Sequence, residues 1–332
     1  MTKKFAVAIL NWNGEQLLRQ FLPSVLQYSD KANIYVIDNA STDQSIEVLN
    51  NEFPTIQIIQ NNDNYGFAQG YNEGLKDIKE PYLVLLNSDI EVTENWLDSV
   101  EQIFDTQPKV AIIQPKILDY KRKTHFEYAG AAGGFIDSYG FPFCRGRIFD
   151  TIEEDLGQYN DIIDIFWASG ACFFIRNEVY QILGGLDQDY FAHQEEIDLC
   201  WRAHNEGYKV KYTGFSTVYH VGGATLKYQS AKKTYLNFRN SLLTLYKNLP
   251  KKSKFSTIFI RLCLDGVAGV RYMLMLQPKH CFAIIRSHFA FYKRISSFRK
   301  KVAITPIDKY YRTGSIVKLY YIQKQKTYIR VF

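Results

Sequence analysis

A chain of 332 residues is long enough to bury a large core and to form one large or two modest domains. Its 46% apolar and 22% charged residues are ordinary for a globular protein, and the lack of any run of 18 uninterrupted apolar residues excludes a transmembrane helix. The net charge of +6 conceals a division: residues 1–226 carry 17 basic against 32 acidic side chains, a net of −15, and residues 227–332 carry 23 against 2, a net of +21. That asymmetry points to a polyanionic partner for the tail, a nucleic acid or an anionic membrane surface.

The first apolar run, Phe5 to Leu10, is too short for a signal peptide and reads as a strand. Leu17, Leu18, Phe21, Leu22, Val25 and Leu26 fall at helical spacing over residues 15–28. Residues 34–38 (IYVID) form a second strand, and Ser41, Thr42 and Asp43 offer caps to a helix near Gln44. Residues 56–60 (IQIIQ) form a third strand, followed by a Gly-bearing loop and a helix over 61–79. Residues 82–87 (YLVLLN) are nearly all apolar, as a central parallel strand is. Strands alternating with helices predict a doubly wound α/β sheet with its ligand at the carboxyl ends of the strands.

Residues 120–165 are loop-rich and suggest an insertion over a site; a strand over 166–176, a loop and helix over 183–208, and a strand over 209–220 follow. From about residue 227 the pattern is helical, basic and aromatic. Five cysteines, at 144, 172, 200, 263 and 281, form no CxxC pair, which favours reduced, buried thiols in a cytosolic protein.

Four constellations carry chemistry. Asn87-Ser88-Asp89 closes the central strand, where a carboxylate suits Mg²⁺ or Mn²⁺; a turn using these residues for local bonds is the plain alternative. Glu195, Glu196 and Asp198 crowd a predicted helix start, where mutual repulsion raises a carboxyl toward general-base range; acids placed for the helix dipole are the alternative. His220 ends an apolar strand before two glycines and is a second candidate metal ligand, although a lone His is more often structural. The loop 61–74 (NNDNYGFAQGYNEG) places glycines where backbone can approach a ribose or phosphate, and fits neither a dinucleotide fingerprint nor a P-loop.

Taken in order, AILNWNG (8–14), VIDNASTD (36–43), NYGFAQGYNEG (64–74), LLNSDIEV (85–92), ASGACFFIR (168–176), GGLDQDYFAHQEEIDLCWR (184–202) and VYHVGG (218–223) resemble glycosyltransferase family 2, in particular its rhamnosyltransferase-like bacterial branch. The resemblance spans about residues 4–223. It implies a GT-A fold, a mixed α/β sheet with flanking helices, over residues 1–226. Residues 1–115 would be the nucleotide-binding half, residues 116–226 the catalytic half, and residues 227–332 a helical, basic extension.

The resemblance also implies an inverting, metal-dependent transfer from a UDP- or dTDP-sugar, dTDP-rhamnose among the candidates, to a lipid-linked saccharide in surface polysaccharide synthesis. Position by position, Asp38 would accept from the N3–H of uracil or thymine, with Leu10 and Trp12 beside the base. Asn64, Gly66 and Phe67 would lie against ribose and diphosphate, and Asn39, Asn72, Asn87 and Ser88 would complete the donor contacts. Asp89 and His220 would hold Mn²⁺ or Mg²⁺. Glu196 stands at the position of the base, with Glu195 as the fallback, and Asp198 paired to Arg202 would orient the helix.

Residues 280–302 mix Phe, Tyr and Ile with Arg and Lys, which reads as a membrane-surface helix and places the protein on the inner face of the cytoplasmic membrane. The tail contains no RNP, zinc or helix-turn-helix pattern, so nucleic acid is the weaker partner. A noncatalytic nucleotide-binding scaffold of the same fold is a rival to the enzyme.

Overall fold

A computed structural model of the chain describes residues 3–222 and 230–332. Strand β1 (Phe5–Asn11) leads to helix α1 (Glu15–Tyr28), β2 (Ala32–Asp38) to α2 (Ser45–Glu52), and β3 (Gln57–Gln60) to α3 (Gly66–Gly74), before β4 (Tyr82–Asn87). These strands run parallel in the order β4-β1-β2-β3. Successive side chains enter opposite cores. Phe5, Val7 and Ile9 pack with Leu18, Leu22 and Val25 of α1 on one face. Ala6 and Ala8 pack with Ala68 and Tyr71 of α3 on the other. A strand covered on both faces needs apolar residues throughout, which is why β1 and β4 read so clearly.

The sheet continues past β4 in a mixed sense. Next in the chain come β5 (Ile90–Val92), α4 (Asp98–Thr106), β6 (Val110–Asp119) and β7 (Arg122–Phe126). Four short strands, β8 (Gly134–Ile136), β9 (Pro142–Cys144), β10 (Arg147–Ile148) and β11 (Thr151–Ile152), form a second sheet. After them come β12 (Ile162–Ile165), β13 (Cys172–Arg176), α5 (Asn177–Ile182), α6 (Glu195–Asn205) and β14 (Lys209–His220). The main sheet has ten strands among the described residues, with β13 antiparallel between β4 and β6, and β14 parallel to β6.

Two expectations change. Residues 120–165 are built rather than loose, and their glycines serve close packing: a Cβ on Gly134 would lie 2.1 Å from Trp167 Cε2. The strand expected from residue 166 starts only at Cys172. Before it, the backbone N–H of Ser169 donates to the side chain of Gln114, a bond that no strand periodicity reports.

The basic extension forms α7 (Ala231–Asn248), α8 (Lys251–Leu274), α9 (Pro278–Phe298) and a last turn, α10 (Tyr328–Val331). The chain after α9 returns to the second sheet. Ile316 N donates to Asp137 Oδ2 at 3.0 Å, and Tyr328 N to Glu153 Oε1 at 2.8 Å. The expected boundary at 226/227, and Gly223 of the last motif, lie outside the described residues. Among the described residues no helix is long and apolar enough to cross a membrane. Cys144, Cys172 and Cys200 are buried as expected, whereas Cys263 is exposed and Cys281 half-buried.

Candidate active site

The carboxyl ends of β1, β2 and β4 meet at one cleft edge. Asp38 is buried at the end of β2, and Asn11, its partner in register on β1, donates from Nδ2 to Asp38 Oδ1 at 3.0 Å. Ser41 N donates to Asp38 Oδ2 at 2.9 Å. Asn11 Oδ1 is buried without a partner, an acceptor left beside the carboxylate. Trp12, the next residue, is 50% exposed and presents an indole face at the start of the loop. The sequence reading passed over Asn11, although it lies between Leu10 and Trp12, because its side chain has no chemistry until β2 sets Asp38 against it.

The loop after β3 is braced from within. Asn39 Nδ2 donates to the Gly66 carbonyl at 2.9 Å, and Asn39 Oδ1 accepts from Asn61 Nδ2 at 2.7 Å. Asn72 Nδ2 donates to the Leu186 carbonyl at 2.7 Å, and its Oδ1 accepts from Leu186 N and the Tyr180 hydroxyl. Asn39 and Asn72, expected as donor contacts, therefore commit their amides to the scaffold. Asn64 is exposed, and its Oδ1 accepts from Gly66 N at 3.0 Å. Gly66 has φ +73°, a left-handed conformation that glycine adopts without a Cβ penalty. Gly70 admits no Cβ either, since one would lie 2.7 Å from Asn39 Nδ2.

At the end of β4, Asn87 and Ser88 are half-buried and Asp89 is buried. β5 runs antiparallel to β14 with Ile90 opposite His220, which brings the imidazole to Asp89: His220 Nε2 lies 3.1 Å from Asp89 Oδ1. On the other side of the ring, Nδ1 lies 3.5 Å from Glu127 Oε2. Burial works against a charge on His220, but the two carboxylates outweigh it and hold the imidazole up at about 10.

Among the described residues no three His, Cys, Asp or Glu side chains converge to hold an ion unaided. The pair present nevertheless fits one, provided the ion displaces the proton that His220 holds against Asp89. A hard carboxylate oxygen and an imidazole 3.1 Å apart have the spacing of two adjacent ligands on an octahedral ion with bonds of about 2.1 Å. An ion there would need further oxygens from elsewhere, as a diphosphate supplies. Glu127 went unread because residues 120–165 carry no periodicity.

Glu195 and Glu196 open α6. The loop before them is strained, with Phe191, His193 and Gln194 at φ +67°, +70° and +76°. Non-glycine residues hold such angles only where their surroundings impose them. Here α7 does so: Asn240 Nδ2 donates to the carbonyls of Tyr190, Ala192 and His193 at 3.1, 2.9 and 2.7 Å. Asp198, fully buried, accepts from Arg202 Nε at 2.8 Å, Lys247 Nζ at 2.8 Å and Asn248 Nδ2 at 2.9 Å. Burial alone would raise its carboxyl, but Lys247 and Arg202 hold it well below the usual carboxylate range. Asp198 is thus the anchor of α6.

Both glutamates keep a buried oxygen without a hydrogen-bond partner. Burial raises both; Glu195, further raised by Glu196, goes well above the carboxylate range, while Glu196 is pushed up to about 7 against the backbone N–H groups at the helix start. Glu196 is also half-buried, whereas Glu195 is 4% exposed. A Cβ on Gly170 would touch both Glu196 Cγ, at 3.7 Å, and Phe67 Cζ, at 3.6 Å, so the α6 carboxylate faces the donor-side helix α3 across a bare backbone. The structure thus brings Phe67 and Glu196 to one place. His193, whose Nε2 is buried without a partner and whose imidazole burial lowers to about 4, and Lys233 at the first turn of α7, within electrostatic reach of Glu127 and His193, also border this region. Nothing in the local sequence around Lys233 signals that placement.

Comparison with known proteins places this geometry. A sequence model described as "Glycosyl transferase family 2" matches residues 6–183. The chain is 22% identical over 248 residues to the "Low-salt glycan biosynthesis hexosyltransferase Agl10" of Haloferax volcanii, covering 73% of this chain and 76% of that protein. It is 20% identical over 235 residues to an "N-acetylglucosaminyl-diphospho-decaprenol L-rhamnosyltransferase" of Mycobacterium tuberculosis, covering 66% and 76%. Among solved structures, Staphylococcus aureus TarS 1-349 in complex with UDP-GlcNAc aligns at TM-score 0.57 and 14% identity over 89% of this chain and 83% of that one. The mannosyltransferase PcManGT from Pyrobaculum calidifontis, in complex with GDP-Man and Mn²⁺, aligns at 0.54 and 12% identity over 87% of each chain.

Proposed function

The chain belongs to glycosyl transferase family 2, and from that premise we propose that it moves a sugar, with inversion, from a UDP- or dTDP-sugar to a hydroxyl of a lipid-linked saccharide. The fold is GT-A, a mixed sheet with flanking helices and a C-terminal helical segment. The observation that carries the catalytic reading is Glu196. Its half-buried carboxyl opens α6, is raised toward neutrality by burial and faces Phe67 across Gly170.

As carboxylate, Glu196 takes the proton of the acceptor hydroxyl as its oxygen bonds to the anomeric carbon. The bond from that carbon to the diphosphate oxygen breaks on the opposite face, and the nucleoside diphosphate leaves with its electron pair. Glu195 is the more deeply buried of the two and is raised further, by burial and by Glu196 beside it, which favours Glu196 as the base over Glu195. On the donor side, Asp38 and the unpartnered Asn11 Oδ1 present acceptors to an imide N–H, and Trp12 offers a face for the base. Asn64, Gly66 and Phe67 border the ribose and diphosphate, with Asn87 and Ser88 toward the sugar. Asp89 and His220 would hold Mn²⁺ or Mg²⁺, which neutralises charge developing on the leaving diphosphate.

The relative acting on a decaprenol-linked substrate, by its name, supports a lipid-linked acceptor. The +21 charge of residues 227–332 supports docking on the inner face of the cytoplasmic membrane. The test is a panel of UDP-, dTDP- and GDP-sugars, scored by thermal shift and by hydrolysis with Mn²⁺. Stabilisation by uracil and thymine nucleotides with turnover of one sugar supports the reading. Nucleotide binding with no turnover on any donor favours the noncatalytic scaffold.

A further inference from the structure

Helices α8 and α9 are inverted relative to a water-facing pair. On α8 the exposed stripe is Phe255, Phe259, Val267, Val270 and Leu274, at helical spacing, and on α9 it is Phe282, Ile285 and Phe289. The polar groups point inward instead: Arg261 Nε donates to buried Asp265 Oδ1 at 2.7 Å, and His288 Nε2 lies 3.3 Å from Asp265 Oδ2. Asp265 is the sole acid between residues 249 and 307, while Lys251, Lys252, Arg271, Lys279, Arg286 and Lys293 are all exposed on the two helices. Of these, Lys252 is paired with Asp308 at 2.9 Å, and an apolar face carrying such an excess of cations is complementary to anionic headgroups over hydrocarbon.

This face is not smooth. Between the helices lies a groove of about 370 Å³, lined by Gly266, Gly269, Val270 and Leu274 of α8 and Ile284 and Ile285 of α9. The glycines create it: a Cβ at Gly266 would meet nothing within 4 Å, and one at Gly269 only Cys281 Sγ at 3.5 Å. A chain of side-chain contacts links α8 to the catalytic cleft. Tyr272, the residue before Met273 of the groove lining, stacks on His280 with centroids 4.9 Å apart, and His280 Nδ1 lies 2.8 Å from Thr234 Oγ1 in the first turn of α7. Lys232 of the same turn sits 5.5 Å from the ring of Phe191, which is in contact distance of Gly66.

We propose that the α8–α9 groove holds the hydrocarbon tail of the acceptor lipid, with the saccharide end extending past the first turn of α7 to the cleft between α3 and α6. This rests on the reading of a lipid-linked acceptor above. The cations of the hairpin then flank the phosphate groups that join tail to sugar.

The experiment uses the full chain and a prenyl phosphate carrying a diazirine at its tail end. Label is expected on the α8 and α9 peptides that line the groove. Gly266→Leu and Gly269→Leu should each cut it at least five-fold, with the thermal shift by UDP or dTDP unchanged. Label elsewhere, or undiminished in both folded variants, overturns the proposal. So does loss of label to excess dioleoyl phosphatidylglycerol as readily as to unlabelled prenyl phosphate, because the groove would then be an anchor for bulk lipid. Flotation on phosphatidylglycerol vesicles is read separately. Vesicle binding without groove label removes the groove and leaves the membrane reading standing, whereas groove label without flotation keeps the groove and removes membrane docking.

Discussion

Lys247 donates to Asp198 at 2.8 Å across 49 positions of sequence, tying the end of α7 to the first turns of the helix that carries Glu196. The same ammonium reaches Asp187 at 2.8 Å, and Lys301 reaches Asp187 and Asp189, both at 2.6 Å. The basic extension therefore does two jobs at once. Part of its charge faces outward, and part neutralises buried acids of the catalytic half.

Lys247→Met should destabilise the fold by about 3–5 kcal/mol, because it leaves Asp198 buried with one cation fewer. Urea unfolding measures the loss. Asp198 has a depressed carboxyl, so its contribution is present above the unfolded value near pH 4 and disappears as pH falls below that value toward its lower folded one. The wild-type protein should lose that stabilisation in acid, and Asp198→Asn should lack that part of the acid dependence. Parallel acid profiles for wild type and Asp198→Asn would refute the assignment.

Glu196→Gln should lower transfer by about 10²–10⁴-fold, the usual range for a lost general base, with donor binding little changed. Glu195→Gln should retain turnover within a few-fold. Because the active form of Glu196 is the carboxylate, the wild-type rate should climb with pH through about 7 and level off above it. A rate flat between pH 5.5 and 8.5 would exclude this residue as the base.

Glu127→Gln tests the metal reading without touching a ligand. Glu127 sits on the far side of His220 from Asp89, and loss of such a support typically weakens metal affinity by about 10–100-fold. Titration of Mn²⁺ into the nucleotide-bound protein should show that shift, and Asp89→Ala a larger one. Unchanged Mn²⁺ dependence in both would remove the site.

Asn240→Leu removes the donors to three carbonyls of the strained loop at 190–193. The expected outcome is a kcat reduced by about 10²-fold, the scale of a misplaced catalytic group, with an unchanged donor Kd. An equal loss in kcat and in donor affinity would point to general unfolding instead.

The unbroken apolar runs of residues 5–10 and 82–86 made the parallel part of the sheet readable, because strands covered on both faces must be apolar along their length. The positions of Asp89, His220 and Glu196 at strand and helix ends were readable too, and the structure sets Asp89 beside His220. Glu127 and Asn11 were not: each gains its meaning from a partner 93 and 27 positions away, His220 and Asp38, set in place only by pairing in the sheet. Asn39 and Asn72 show a different limit. A polar side chain near a ligand loop looks the same in sequence whether it meets a ligand or braces the scaffold, and here Asn39 bonds Gly66 and Asn61 while Asn72 bonds Leu186 and Tyr180.

If Glu196 is the base, the clamp on the loop before α6 also sets when transfer can begin. Strands β1 to β4 and their nucleotide end leave the ribosome first, α6 follows, and Asn240, Lys247 and Lys301 emerge only later. A chain still being made, or one cut short after β14, carries the strands of the proposed donor side but lacks the groups that, on the reading above, hold the base in place. Such a fragment would hold nucleotide sugar without transferring it, so that transfer begins only when synthesis is nearly complete.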